Sequence, residues 1–165
     1  MNNKIENQKY IINRLDNYIE SSQTKSNLYL TLNTIILAGI ITLISTKINC
    51  FSMVLNILLG IISIISLISI IQTLKVINPY LKKSSNGNKS ILFFNDIESI
   101  NNNEYYKNVC EKSKESLLED LTEQSHILAK GLNSKYKILS TIGWLIGTEF
   151  FLLFIWILLF LITKN

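Results

Sequence analysis

Three long, almost uncharged blocks constrain this chain more than any other feature of its sequence. They cover residues 28–45, 51–74 and 138–162, and Glu149 is the one acidic or basic side chain within them. A helix needs about 20 apolar residues to cross about 30 Å of hydrocarbon. The three blocks therefore predict an all-α membrane protein with three transmembrane helices, the first two forming a hairpin over 28–74.

Two polar stretches lead directly into the first and third spans. Residues 1–27 predict an N-terminal helix, and 75–137 a linker followed by a second helix from about residue 104. Each has an apolar stripe at helical spacing. The first stripe comprises Ile5, Ile12, Leu15, Ile19 and Ser22. The second comprises Leu117, Leu121, Gln124, Leu128, Leu132 and Leu139. Because a short isolated helix is marginal in water, we expect these two long helices to pack together as a cytoplasmic helical bundle.

The segment between the second span and the second stripe has two parts. The sequence NPYLKKSSNGNKS (78–90) is typical of a helix stop followed by a flexible connection. The next ten residues, ILFFNDIESI (91–100), begin with four apolar side chains, and their periodicity does not distinguish a strand from a loop.

The basic residues predict the orientation. Fourteen of the sixteen precede the first span or lie in 75–137, and only Lys47 and Lys164 lie elsewhere. The positive-inside rule places the N-terminus and 75–137 in the cytoplasm, with the 46–50 turn and the C-terminal tail outside. The net charge of +4 is thus mainly a topology signal, and nucleic-acid binding is not expected.

No catalytic, metal or cofactor motif is present in the sequence. The single histidine, His126, falls on a polar helix, where a solvated role is usual. Cys50 and Cys110 lie on opposite sides of the membrane in this topology, so they cannot pair within one chain. We therefore expect a protein that is not an enzyme.

The third span contains three candidate packing or gating residues. Gly143 and Gly147 form a G-x-x-x-G pattern, which lets helix backbones approach closely. Glu149 lies about 16 Å along the helix from Ile138, deep in the hydrocarbon. It is either a protonated group bonded to Asn56, Thr42 or a neighbouring subunit, or a pore-lining group. Glu149 is two residues past Gly147 and points to nearly the opposite face, so the span has two non-lipid surfaces, which suits a homo-oligomer or a helix buried between two partners.

Polar side chains on the two cytoplasmic helices admit two interpretations. The first helix carries Arg14, Asp16, Asn17, Lys25 and Asn33. The facing helix carries Glu119, Asp120, Gln124, Lys130 and Lys135. They form either a solvated face with salt bridges or a pocket in which Arg14 and Lys25 hold a phosphate while carboxylates and amides bond a base or ribose.

Three ordered stretches also resemble a known family. They are RLDNYIESSQTKSNLYLTLNTIIL (14–37), ILFFNDIESI (91–100) and LLEDLTEQSHILAKGLNSKYKIL (117–139). Together with the order of polar helix, hydrophobic hairpin, cytoplasmic region and final span, they resemble the transmembrane effector family of the Pycsar anti-phage systems.

This resemblance implies a function and a set of motif positions. A partner nucleotide cyclase would make cyclic UMP or cyclic CMP on infection, and the effector would respond by impairing the bacterial inner membrane, so that infection aborts. The matching motif positions, which contact ligand or brace the bundle, are Arg14, Asp16, Asn17, Tyr18, Lys25, Phe94, Asp96, Glu119, Asp120, Gln124 and Lys135.

The unbroken helix that enters the first span suggests a lever. If a ligand changes the packing of the cytoplasmic helices, the spans must move with them. The ligand can shift the equilibrium between the two packings only by the difference in its affinity for them. Two other functions remain open: a ligand-free holin-like or toxin-like membrane protein, and a membrane scaffold that recruits a protein partner.

Overall fold

A computed structural model describes residues 1–47, 51–78 and 90–164 of the 165-residue chain, without the side chains of Lys47, Phe94 and Lys164. Every regular element in these ranges is a helix. In chain order the helices are α1 (Asn2–Lys47), α2 (Met53–Ile77), α3 (Phe94–Glu98), α4 (Asn102–Glu111) and α5 (Lys114–Lys164).

The three long helices confirm the predicted fold class. α1, α2 and α5 are each long and apolar enough to cross a membrane. α1 has 46 residues and α5 has 51, more than twice the roughly 20 that a span requires. Residues 2–27 and 114–137 therefore continue into the first and third predicted spans without a helix break.

α2 ends where the sequence predicts a helix stop. Asn78 has an extended backbone, with φ −57° and ψ 136°. A residue before proline is biased against the helical region, and Pro79 follows in the sequence. The predicted flexible connection over 78–90 lies outside the described residues from 79 to 89, and so do residues 48–50 of the predicted 46–50 turn.

The segment 91–100 differs from both alternatives that its sequence allowed. Residues 94–98 form the short helix α3, entered through an extended Phe93. A strand would leave its backbone groups needing a pairing partner, whereas one helical turn satisfies them locally.

The helix predicted from residue 104 is also interrupted, which its periodicity did not predict. α4 ends at Glu111, and Lys112 is extended, with ψ 123°. The hydroxyl of Ser113 then accepts a hydrogen bond from the Ser116 N–H at 3.1 Å and caps the start of α5. The expected single helix from residue 104 is therefore two helices, and the signal for the second start is the serine itself.

The described residues fall into two compact units. The first unit takes in 1–21 and the described part of 79–134. Within it, α1 and α5 run parallel, because Asn2 contacts Lys114 and Gln8 contacts Thr122. The predicted apolar stripes face inward there: Ile5 is 8% exposed and Leu121 is 5% exposed. The start of α1 and the start of α5 therefore lie side by side in this unit, as the stripes predict.

The second unit takes in 22–78 and the described part of 135–165. Its core comprises two apolar clusters, each built from all three long helices. One cluster surrounds Val76, Leu139, Ile142 and Ile146, with Tyr29 and Ile138 packed against it. The other surrounds Ile40, Leu55, Leu59, Ile62 and Trp156. Trp156 also stacks on Phe160 and donates its indole N–H to the Leu55 carbonyl at 3.2 Å.

Candidate functional site

An exposed polar face lies on α1 in the first unit. Arg14, Asp16, Asn17 and Tyr18 are all exposed. Arg14 and Tyr18 are one turn apart, and the guanidinium donates a hydrogen bond to the phenol oxygen at 3.2 Å. It also lies 5.9 Å from the centre of the Tyr18 ring. This bond and the positive charge lower the pKa of Tyr18, and the same contact raises the pKa of Arg14. The guanidinium is therefore held at the surface, where an anion can reach it.

A second group of predicted residues is buried and converges on Ser90. The Ser90 N–H donates to Oδ2 of Asp96 at 3.1 Å, and the Ser90 hydroxyl donates to Oδ1 of Asp120 at 2.7 Å. Ser90 is 4% exposed, and the two aspartates are each 8% exposed. Two carboxylates from different helices therefore fix one serine. We call Ser90, Asp96, Asp120 and Lys112 the Ser90 brace.

The Ser90 brace holds the start of the 91–100 segment through its backbone. The Ser90 hydroxyl oxygen accepts hydrogen bonds from the N–H groups of Leu92 and Phe93, both at 3.1 Å. The Ile91 N–H donates to Oδ2 of Asp120 at 3.2 Å, and the Tyr105 hydroxyl donates to the Ile91 carbonyl at 3.3 Å. The side chains of Ser90, Asp120 and Tyr105 thus bond the backbone groups of residues 91–93, which have no helix or strand to supply their partners.

Lys112 completes the brace with a charge. Its ammonium group lies 2.8 Å from Oδ2 of Asp120, and the two side chains are 15% and 7% exposed. Lys112 stands at the break between α4 and α5. A buried carboxylate needs such a counter-charge, because leaving it unpaired away from water is strongly destabilising.

Gln124 is the third buried member of the predicted set. It is 8% exposed, and its Nε2 donor has no hydrogen-bond partner among the described residues. Its neighbour in the predicted list, Glu119, is exposed. Gln8 holds Thr122 at 3.0 Å through its own Nε2, while its Oε1 has no hydrogen-bond partner within the described chain. Buried amide groups of this kind are the donors and acceptors that a polar ligand can use.

Lys25 and Lys135 belong to the second unit. The Lys25 ammonium lies 5.2 Å from the centre of the Tyr136 ring, a cation–π contact. Lys135 is partly buried, and burial lowers its pKa. The predicted phosphate pair of Arg14 and Lys25 therefore divides between the two units. Phe94 begins α3, and its side chain lies outside what the structure describes.

The intramembrane candidates have different environments. A methyl group added at Gly143 would lie 3.3 Å from the Tyr29 hydroxyl, whereas one added at Gly147 would meet open space. Glu149 is 0% exposed, and both carboxylate oxygens are without a hydrogen-bond partner among the described residues. The predicted bonds to Asn56 and Thr42 are therefore wrong for this structure.

Asn33, expected on the polar face near the membrane surface, is instead buried at 0% exposure. Its amide donates to the Ser69 hydroxyl at 3.0 Å and to the Tyr29 carbonyl at 2.8 Å. The Ser66 hydroxyl donates to the backbone carbonyl oxygen of Asn33 at 3.2 Å. Serine in a long apolar run carries no signal of such pairing, so sequence reasoning missed Ser66 and Ser69.

The Ser90 brace also contains residues that the sequence did not single out. Ser90 closes a polar connection, and Lys112 stands eight residues before Asp120, a spacing that no helix pairs. Only the carboxylates of the brace lie in recognisable motifs. Within the described ranges, no group of three or more His, Cys, Asp and Glu side chains is placed to hold a metal ion. His126 and Cys110 are exposed.

Comparison with known proteins agrees with this layout. The Pycsar effector protein domain matches residues 7–162, which take in all three long helices and the Ser90 brace. The Pycsar effector protein EcPycTM of Escherichia coli is 32% identical over 159 residues, covering 86% of this chain and 83% of that protein. No solved structure matches the chain significantly. The chain therefore belongs to the Pycsar effector family, as a membrane protein of anti-phage defence.

Proposed function

We propose that a cyclic pyrimidine mononucleotide, cyclic UMP or cyclic CMP, activates this protein, which then impairs the bacterial inner membrane. A partner cyclase makes the nucleotide on infection, and the effector acts as a homo-oligomer. The observation that carries the proposal is the family match over 7–162, which includes the polar stretches as well as the spans.

The arrangement of helices supports a coupled response. α1 contributes residues to both compact units, and so does α5. A change in the packing of residues 1–21 against 114–134 is therefore transmitted along two continuous helices. Nucleotide binding shifts this packing by its differential affinity for the two states.

The exposed face of α1 supports an anion contact. Arg14 is the one arginine in the sequence, and its guanidinium can pair with a phosphate through two parallel hydrogen bonds. Tyr18, one turn on, lies beside it, and Asn17, three residues on, shares that side of the helix, so both can contact ribose or base. Asp16, two residues on, lies on another side of α1. In this proposal the Ser90 brace keeps the neighbouring segment in place, and Gln124 offers its amide donor to a ligand.

The proposed topology follows the basic residues. The N-terminus and 75–137 face the cytoplasm, where a cyclase product is available, with spans over 28–45, 51–74 and 138–162. This orientation puts the exposed Arg14 face and the Ser90 brace on the side from which the signal comes.

A thermal-stability titration of the full-length protein in detergent tests the proposal. Cyclic UMP, CMP, AMP and GMP are added separately. A ligand that binds the folded state stabilises it by about 2.7 kcal/mol at a hundredfold excess over its dissociation constant. We expect a shift with one pyrimidine nucleotide and none with the purines.

Two variants refine this titration. Arg14→Gln should abolish the nucleotide-dependent shift, whereas Lys9→Gln, which removes an exposed charge from the same helix, should keep it. No shift with any nucleotide would overturn the proposal in favour of a ligand-free membrane toxin or a protein-recruiting scaffold. Toxicity on expression without a cyclase would favour the toxin.

A further inference from the structure

Glu149 of α5 is buried at 0% exposure, and neither carboxylate oxygen has a hydrogen-bond partner among the described residues. A carboxylate in hydrocarbon is unfavourable, and such groups usually meet a polar partner, an ion or a water path. The structure thus retains an unpaired polar group that a rearrangement could relieve.

Apolar packing closes α5 on both sides of Glu149. Leu139, Ile142 and Ile146 precede it and pack with Val76 of α2. Trp156 follows it and packs with Ile40 of α1 and with Leu55, Leu59 and Ile62 of α2. Water would have to pass one of these clusters to reach the carboxylate, so this conformation is closed to ions.

Other buried polar groups lie at nearly the same level. Gly143 of α5 faces Tyr29 of α1, and the two helices run parallel. Glu149 is six residues past Gly143, so it is level with about Ile35, which is six residues past Tyr29 and close to Asn33. Trp156 of α5 bonds Leu55 of α2, and these helices run antiparallel. Glu149 is seven residues before Trp156, so it is level with about Ile62, which is seven residues after Leu55 and four before Ser66. At 1.5 Å per residue, Asn33 and Ser66 are offset from Glu149 by about 3 and 6 Å along the helix axes, and Ser69, which bonds Asn33, by about 10 Å.

Asn33 bonds both Ser66 and Ser69, so polar groups of all three helices lie within about two helical turns of Glu149 along the helix axes. We call Asn33, Ser66, Ser69 and Glu149 the polar layer. The two serines and the asparagine satisfy each other, whereas the carboxylate has no such partner within the described chain. The hydroxyl and amide oxygens of the polar layer can therefore replace water around a cation, and the Glu149 carboxylate can carry the negative charge that balances it.

We propose that Glu149 is the selectivity group of a path for monovalent cations in the activated protein. The inference rests on the proposed membrane impairment and defines its chemistry: the lesion conducts Na⁺ and K⁺ and excludes Cl⁻. Activation separates the apolar clusters and wets the polar layer. The ionised carboxylate then attracts cations and repels anions, as acidic groups do in cation channels.

Full-length protein in sealed vesicles tests the inference. The vesicles contain concentrated KCl and an entrapped fluorescent dye. The outside solution contains dilute KCl, sorbitol to balance the osmotic pressure, and a voltage-sensitive dye. On addition of cyclic UMP or cyclic CMP, wild-type protein should make the interior negative, because K⁺ leaves faster than Cl⁻. The entrapped dye should stay inside.

Three variants give the decisive comparison. Glu149→Gln should bring the ratio of K⁺ to Cl⁻ permeability to unity, and Glu149→Asp should keep the wild-type sign of the potential. Thr148→Ala, which alters the exposed neighbour, should behave as wild type. Each variant is first shown to insert and to keep its nucleotide-dependent thermal shift.

The outcomes separate this inference from the proposed function. An unchanged potential in Glu149→Gln, with nucleotide response intact, overturns the role of Glu149 and leaves membrane impairment standing. Release of the entrapped dye by wild type also overturns it, because a large lesion does not select ions. If no nucleotide permeabilises wild-type vesicles, the proposed function fails and the inference fails with it.

Discussion

The hydroxyl of Ser90 donates a 2.7 Å hydrogen bond to Oδ1 of Asp120, thirty residues further along the chain. The same hydroxyl oxygen accepts from the N–H groups of Leu92 and Phe93. One small side chain therefore joins α5 to the segment that leads into α3. Two of the carboxylates predicted as motif positions, Asp96 and Asp120, act in this structure as partners of that serine.

Ser90→Ala should destabilise the protein measurably. It removes the donor to the buried carboxylate of Asp120 and leaves two partly buried backbone N–H groups without their acceptor, a loss of about 1–3 kcal/mol. Thermal unfolding in detergent should show a lower midpoint. The exposed Ser134 on α5 provides the matched control, and equal midpoints for Ser90→Ala and Ser134→Ala would contradict the role of the brace.

The Lys112–Asp120 pair should matter far more than a surface pair. Asp120→Ala leaves a mostly buried ammonium group without its counter-charge, and breaking a buried pair in this way costs about 3–5 kcal/mol. The control is Lys107→Met, which breaks the pair with Glu111 at 4.0 Å, whose side chains are 70% and 67% exposed. An exposed pair contributes about 0–1 kcal/mol. Similar losses of thermal stability in both variants would contradict this prediction.

Asn33→Leu should weaken the packing of α1 against α2. The change removes the amide donor to Ser69 and the oxygen that accepts from Ser66, both inside the apolar second unit. Hydrogen bonds between membrane helices contribute about 0.6–2 kcal/mol each. The loss should appear as a lower unfolding midpoint in detergent. Thr31→Val is the control, because the exposed Thr31 hydroxyl bonds only a carbonyl of its own helix among the bonds described for it.

Arg14→Gln should raise the pKa of Tyr18 toward its ordinary value of about 10. In the native chain the guanidinium donates to the phenol oxygen and stabilises the phenolate, which lowers this pKa. A pH titration of ¹³C-labelled tyrosine by NMR, with Tyr18→Phe to assign the signal, measures the shift. Lys9→Gln should leave the titration unchanged. If Arg14→Gln also leaves it unchanged, the bond between Arg14 and Tyr18 does not persist in solution.

A flexible break in α1 should separate nucleotide binding from membrane damage. Gly-Ser-Gly-Ser inserted after Asn27 interrupts a helix that otherwise runs from Asn2 to Lys47. We expect the nucleotide-dependent thermal shift to remain and the toxicity to disappear. Toxicity that survives the insertion would show that α1 is not a lever.

The matched insertion of four alanines at the same point changes length and rotation equally but keeps the helix stiff. Toxicity with Ala-Ala-Ala-Ala and none with Gly-Ser-Gly-Ser would assign the effect to stiffness. Loss of toxicity in both would assign it to the register of α1 instead.

The sequence by itself determined the helical fold class, the three long helices and the inward-facing stripes. These follow from local rules: apolar length sets a span, and spacings of three and four set a helical face. The absence of proline and glycine before Leu28 was enough to predict that α1 runs on into its span. The identity of the family could be recognised for the same reason, since its motifs lie in contiguous stretches.

Only the tertiary structure decided what the polar residues do. Asp96 and Asp120 looked like members of a ligand face, but both are buried against Ser90, and Asn33 pairs with Ser69 instead of facing the surface. Glu149 has neither of its expected hydrogen-bond partners in the described chain. A polar side chain takes whichever partner the fold brings within about 3 Å, and these partners, 6, 30 and 36 residues apart, do not lie in one helix, so helical periodicity does not reveal them.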